Sequence, residues 1–219
     1  MSSSGRPSKA RDGEVSPYRP LADYHTPDEL ARVLVAQLPL ATTIRPEIIL
    51  EPHVGGGAFL RAIVRARAGL ERSTRLFACD LNPEAQGLRE AGQEGAVTHA
   101  GDFMRWTPPA PPTWIIGNPP FGVLQVGKTR AAPIAHRHIQ RAMELVAPGG
   151  HVAFLFRWGL FEGRDAFWAG NMPRVVWTIT PRPDFTGDGG DSTPYCFAWW
   201  TRGWREETVL RRLRWRDPR

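Results

Sequence analysis

Apolar and polar positions alternate in blocks along this chain, and the block lengths predict strands and helices in turn. Strand-length apolar runs fall at Ile48-Ile49-Leu50, across Arg75-Leu76-Phe77-Ala78-Cys79-Asp80, near Ala96-Val97, at Trp114-Ile115-Ile116 and across His151-Val152-Ala153-Phe154-Leu155-Phe156. Helices are expected over about 58–68, after Asn82-Pro83-Glu84, and over about 134–146, where Pro148-Gly149-Gly150 ends the last. Ahead of them, Thr26-Pro27-Asp28-Glu29 reads as a helix start, with Thr26 as cap, Pro27 in the first turn and acids at the positive end of the dipole. Leu30, Val33, Leu34 and Leu38 give that helix an apolar face.

Strands alternating with helices at this spacing predict an α/β domain with a mostly parallel, doubly wound sheet covered on both faces. Two late apolar stretches, 175–179 and 195–200, have no helix-length segment between them and are expected to pair as an antiparallel hairpin at one edge. Trp158, Phe161, Phe167 and Trp168 recur at spacings that suit a core-facing helix. Residues 1–17 read as a disordered leader, 18–203 as one catalytic domain and 204–219 as a basic, partly ordered tail.

Composition narrows the partner more than the fold. With 219 residues and 42% hydrophobic content, the chain fills one α/β domain. No apolar run reaches bilayer length, and the N-terminus lacks the apolar core of a secretory signal. Cys79 and Cys196 are the only cysteines, so a reducing cytoplasm is the expected setting. The net charge of +6 rests on arginine, since Lys9 and Lys128 are the only lysines. Guanidinium forks match phosphates and fit a polyanionic partner; a solvated surface encoded by a GC-rich genome accounts for the same bias.

Ligands of such sheets sit outside the carboxyl ends of the strands. After the first strand comes Glu51-Pro52-His53-Val54-Gly55-Gly56-Gly57, whose glycines let the backbone approach a ligand and leave a helix N-terminus open. A dinucleotide fingerprint wants another glycine where Leu60 stands, and Glu51 would repel a pyrophosphate while suiting an ammonium group. Asp80, ending the second strand, can accept two ribose hydroxyls, and Asp102 with Phe103 can take an adenine amino group and cover the base. Asp80 also suits a helix start, and Asp102 a turn. In order, one per strand end, they describe a nucleoside with a charged amino-acid tail, S-adenosylmethionine.

The succession of Tyr24-His25-Thr26-Pro27, Glu51-Pro52 with Gly55 and Gly57, Asp80, Asp102 and Asn118-Pro119-Pro120-Phe121 resembles the amino-methylating DNA methyltransferases. The likeness is to the branch whose cofactor motifs precede the Asn-Pro-Pro-aromatic motif. Arg182-Pro183-Asp184-Phe185-Thr186-Gly187, Asp191-Ser192 and Trp199-Trp200 are similar to small phage and prophage adenine methylases. Covering about residues 20–203, the resemblance implies a Rossmann-like methyltransferase fold with a seven-stranded sheet. It also implies that Tyr24, Thr26 and Pro27 lie against the cofactor. Glu51, Gly55 and Gly57 would hold its methionine part, Asp80 its ribose, and Asp102 with Phe103 its adenine, with Asn118 between cofactor and target. His53 and Val54 depart from the small residues usual there, which counts against close contact at those two positions.

Asn118-Pro119-Pro120-Phe121 reads blandly as the stop after a strand. It also reads as an amine clamp. The Asn118 oxygen and, by the resemblance, the Pro119 carbonyl would accept the two N–H bonds of an exocyclic amine, while Phe121 stacks on a base swung out of the duplex. The activity this implies is methyl transfer to the 6-amino group of adenine in DNA. RNA adenine or guanine amino-methylation, and an inactive cofactor-binding subunit that presents nucleic acid, are the alternatives. Lys128 and Arg130, in a loop over 122–132, are candidate phosphate contacts, as are Arg211, Arg212, Arg214 and Arg216; a solvated role is open for both groups. Sequence preference is expected to be short or relaxed, read by 122–133, 157–173 and the tail. His136 and His138 lack acid or cysteine companions and point apart on a helix, so no metal is expected. No membrane partner is expected, and the oligomeric state stays open between monomer and weak dimer.

Overall fold

The computed structural model describes residues 25–40, 47–68, 74–121, 123–126, 129–162, 165–185 and 193–217, with the backbone alone at 123–126, 129–133, 165 and 166. Helix α1 (Asp28–Val35) is followed by β1 (Ile48–Glu51), α2 (Ala58–Arg67), β2 (Arg75–Asp80), α3 (Gln86–Gln93), β3 (Val97–Ala100) and β4 (Trp114–Gly117). A two-stranded ribbon of β5 (Val123–Val126) and β6 (Thr129–Pro133) leads to α4 (Ile134–Leu145) and β7 (His151–Arg157). A 3-10 turn (Trp158–Phe161), the one-turn α5 (Asp165–Trp168), β8 (Val175–Thr180), β9 (Tyr195–Thr201) and β10 (Val209–Arg214) follow.

The main sheet has the order β10-β8-β9-β7-β4-β1-β2-β3. Every neighbouring pair is parallel except those made by β9, which lies reversed between β7 and β8. Helices cover the sheet, so β1, β4 and β7 are buried along most of their length and their sequences are nearly unbroken apolar runs. Among the described residues no helix is long and apolar enough to cross a membrane.

The expected α/β architecture is present, with four differences. The sheet has eight strands rather than seven, because the stretch expected as a basic tail contains β10, paired in register with β8 from Val209 opposite Val175 to Arg214 opposite Thr180. Leu213 and Trp215 anchor it: both are buried, and the Trp215 indole donates to the Pro181 carbonyl at 2.7 Å. The expected antiparallel β8–β9 pair is present at that end of the sheet, with β10 added along its outer side. The loop expected over 122–132 contains the β5–β6 ribbon. The aromatic segment after β7 forms two short turns rather than one helix, with Phe161 and Trp168 rings 4.6 Å apart. Finally, Pro27 rather than Thr26 occupies the cap position of α1, whose first turn closes from the Ala31 N–H to the Pro27 carbonyl at 3.0 Å. The leader over 1–17 and Thr186, Gly187, Asp191 and Ser192 lie outside the described residues.

The turn after β1 is tied down on two sides. The Val54 N–H donates to the Cys79 carbonyl at 3.1 Å, and the Gly87 N–H to the Gly55 carbonyl at 2.8 Å. Gly57, at φ +83°, starts α2 in a conformation that favours glycine. Gly87 is needed for contact: a Cβ there would stand 2.8 Å from the Val54 Cβ and carbonyl oxygen and 3.0 Å from the Gly55 oxygen. Gly87→Ala is therefore expected to push α3 off the turn and cost about 1–3 kcal/mol, read as a lower urea midpoint; an unchanged midpoint would refute this packing.

Candidate functional site

A cleft of about 490 Å³ opens at the carboxyl ends of β1, β2 and β4. Thr26, Glu51, Gly55, Asp80, Asp102, Phe103 and Asn118-Pro119-Pro120-Phe121 all line it. Parallel strands bring their ends to one rim, which is why residues as far apart as Thr26 and Phe121 converge here. Pro27 and Gly57 are not in its wall; they begin α1 and α2 behind it. Tyr24, Lys128 and the side chain of Arg130 lie outside the described residues. His53 and Val54, which depart from the small residues of the resembled family, also line the cleft.

Glu51 sits at the bottom, 3% exposed. Its carboxyl takes a hydrogen bond from the Leu60 backbone, while Oε2 is buried without a partner. Burial, with the nearby Asp80 carboxylate, holds this group well above the usual carboxylate range. An incoming cation would reverse that effect. Asp80 is committed to the turn through one bond per oxygen, from the Gly55 N–H at 2.7 Å and the Asn82 N–H at 2.8 Å, and each oxygen keeps a lone pair for a hydroxyl. Asp102 similarly accepts the Met104 N–H at 2.9 Å.

The floor beside Phe103 is aromatic. The His53 ring meets Phe103 edge-on at 5.3 Å, and His138 stacks on Phe103 at 5.9 Å. His53 has neither ring nitrogen hydrogen-bonded, and burial holds it well below its usual pKa. His138 is also lowered by burial, with Nδ1 2.9 Å from the Ile134 carbonyl. The floor is therefore uncharged at neutral pH and suits a flat neutral ring. His138 could have been found from the sequence: with Ile134, Ala135, Ile139 and Ala142 it falls on the buried face of α4. His136 is buried too, but against Phe167 and Trp168.

Asn118 forms the opposite wall. Its amide nitrogen donates to the Thr26 hydroxyl at 3.2 Å, and its Oδ1 is buried without a partner. The Thr26 side chain, expected as a helix cap, thus orients the amide instead. Phe121, 8% exposed, packs against Tyr195 at 5.6 Å and Phe185 at 6.2 Å, while the Arg157 guanidinium lies 5.4 Å over its ring. Arg157 ends β7 and was not picked out from the sequence; no local pattern marks it.

No family model matches the chain. It is 32% identical over 126 residues to the type II methyltransferase M.TthHB8I of Thermus thermophilus, a match covering 58% of this chain and 26% of that protein. The chain thus spans about a quarter of the length of that curated relative. Among solved structures, a putative class I S-adenosylmethionine-dependent methyltransferase from Listeria monocytogenes superposes with a TM-score of 0.72 at 14% identity, over 92% of this chain and 68% of that one. A type I restriction-modification methyltransferase subunit from Streptococcus thermophilus superposes with a TM-score of 0.67 at 14% identity, over 87% and 47% of the two chains.

The residues present fit that cofactor. A buried, partnerless carboxylate oxygen suits its ammonium group, Asp80 retains acceptors for a ribose, and the neutral aromatic floor lies next to Asp102. Glu51→Gln tests the carboxylate without the ligand. A carboxyl whose folded pKa is raised stabilises the fold fully below its unfolded pKa, and this contribution is lost as pH rises through the folded value. The glutamine variant should therefore gain on the wild type from about pH 4 upward and level off once the folded pKa is passed, measured by urea denaturation at stepped pH. A gap that does not change with pH would show that burial leaves Glu51 unperturbed. The chain has the fold of the class I S-adenosylmethionine-dependent methyltransferases.

Proposed function

We propose that this chain transfers the methyl group of S-adenosylmethionine to the exocyclic 6-amino group of adenine in DNA, with the target base swung out of the duplex. Asn118 carries this reading: its nitrogen is committed to Thr26, and its oxygen is left unpaired in the cleft wall beside Pro119, Pro120 and Phe121. The likeness to a type II methyltransferase and to a restriction-modification subunit supports DNA as the substrate class.

When bound, the cofactor supplies an electrophilic methyl group on a sulfonium sulfur. Glu51 would hold its ammonium group and Asp80 its ribose, while Asp102 and Phe103 would hold its adenine. The lone pair of an adenine amine is delocalised into the ring, so the protein's task is to localise it. Asn118 Oδ1 accepts one N–H, and the Pro119 carbonyl, stiffened by the Pro119-Pro120 pair, accepts the other, drawing the nitrogen toward tetrahedral geometry. Neither needs to be a strong base, because the proton can leave after the methyl arrives. Positioning and oriented dipoles supply most of the catalysis. Phe121 gives the base a stacking surface worth roughly 1–3 kcal/mol.

Asn118→Ala is expected to bind S-adenosylhomocysteine within about threefold of wild type by calorimetry while turnover falls roughly 10²–10³-fold; transfer near the wild-type rate would sink the clamp. Thr26→Val, which frees the amide to rotate, should lower turnover about tenfold, and Thr26→Ser should restore most of it. If Thr26→Val turns over like the wild type, the amide needs no anchor. Radiolabel transfer to DNA, RNA and protein decides the substrate, and base-resolved sequencing names the modified base. Transfer to RNA alone would replace DNA in this reading, and transfer to none by a cofactor-loaded protein would favour an inactive presenting subunit.

A further inference from the structure

We propose that β10 is a phosphate rail that holds the DNA backbone to one side of the target base; the inference rests on the function proposed above. It starts from strand direction. β10 runs parallel to β8, and β8 runs parallel to β7 and β4, so its carboxyl end lies on the same rim as the cleft. Its sequence is Val209-Leu210-Arg211-Arg212-Leu213-Arg214, of which only Leu213 is buried. Side chains alternate along a strand, so Arg212 and Arg214 share one face about 7 Å apart.

Among the described residues these cations make no ion pair. The ion pairs among the described residues use Arg32, Arg61, Arg67, Arg105 and Arg141, and none uses an arginine of β10. On the inner side the strand is held firmly: the Thr178 and Thr180 hydroxyls donate to the Arg211 and Leu213 carbonyls, both at 3.4 Å. The cations are thus displayed on a fixed strand rather than on a floating tail, and a row of them complements a polyanion.

Distance adds a prediction about where the backbone lies. From β4, which leads into Asn118, to β10 there are four strand steps, by way of β7, β9 and β8. At about 4.8 Å each they span roughly 19 Å, or about five to six nucleotides at 3.4 Å rise per strand. The rail therefore contacts DNA that many nucleotides from the target, on one flank only.

Fluorescence anisotropy of a labelled duplex between 50 and 200 mM salt tests this. Arg212→Gln/Arg214→Gln is expected to lower the slope of log affinity against log salt by about 2 and to weaken binding roughly tenfold to a hundredfold at 0.1 M salt. The pair Arg212→Lys/Arg214→Lys should keep the slope, and S-adenosylhomocysteine affinity should not move in either. Arg65→Ala/Arg89→Ala, which removes the same charge from exposed positions on α2 and α3, should leave the slope intact. Duplexes shortened on one flank should lose the β10 effect, and those shortened on the other should keep it. A glutamine variant with the wild-type slope, or an Arg65/Arg89 variant that loses as much, overturns the rail and leaves the arginines as charges that keep a further strand off the sheet edge. If the wild type methylates DNA in either case, only the rail falls. If it neither binds nor methylates DNA, the proposed function falls and the rail with it.

Discussion

Two buried oxygens without hydrogen-bond partners, Glu51 Oε2 and Asn118 Oδ1, face one cleft, and the rest of the structure is arranged so that they stay that way. Leaving a buried acceptor unpaired costs about 1–3 kcal/mol, so a pliable loop would relax to satisfy it. Neighbouring strands bring the two together. β1 and β4 pair with Leu50 opposite Ile115, which sets Glu51 at one strand end and Asn118 just past the other. An unpaired acceptor that cannot relax is an acceptor reserved for a ligand.

Rigidity comes from contacts that are individually weak. Arg61 binds Asp28 and Glu90, each at 2.6 Å, and the Gly56 carbonyl at 2.9 Å, joining α1, α2, α3 and the glycine turn. Its side chain is 40% exposed, so neither ion pair adds much stability. What the arrangement adds is position: three helices are referred to one guanidinium beside the cleft. The Gly87–Gly55 bond and the Thr26–Asn118 bond do the same for the turn and for the amide.

Much of this was legible in the sequence because buried parallel strands read as apolar runs and the residues just after them carry chemistry. Glu51, Asp80 and Asn118 each follow or end such a run, Asp102 follows the short exposed β3, and all four meet in the cleft. What stayed hidden was whatever depends on the third dimension alone. Thr26 looked like a cap because caps are local, whereas its partner is 92 residues away. Arg157 lies over Phe121 through sheet order, which no local pattern encodes. β10 was hidden for another reason: on an edge strand of which only Leu213 is buried, arginines can fill half of the six positions, and the stretch reads as a tail.

On the proposed reading, the rim of the sheet separates two kinds of interaction that enter the energetics differently. Phosphates do not change as the methyl moves, so arginine contacts on β10 would stabilise ground state and transition state alike and act on affinity without touching the barrier. The amine nitrogen does change, from planar toward tetrahedral, and Asn118 Oδ1 would gain interaction as it does, so this oxygen acts on the barrier itself. Placing the two functions on different strands lets each be strong without weakening the other. The cations stand about four strand widths from the reacting nitrogen, roughly 19 Å and well beyond the ~8–10 Å over which salt screens exposed charges, so they can grip the backbone without drawing electron density from the amine. A guanidinium beside the amine would do the opposite, because its charge would oppose the positive charge that the nitrogen gains as it is methylated. Arg157 is a cation near the clamp, and its place over the face of Phe121 engages the charge with a ring quadrupole rather than with the base edge.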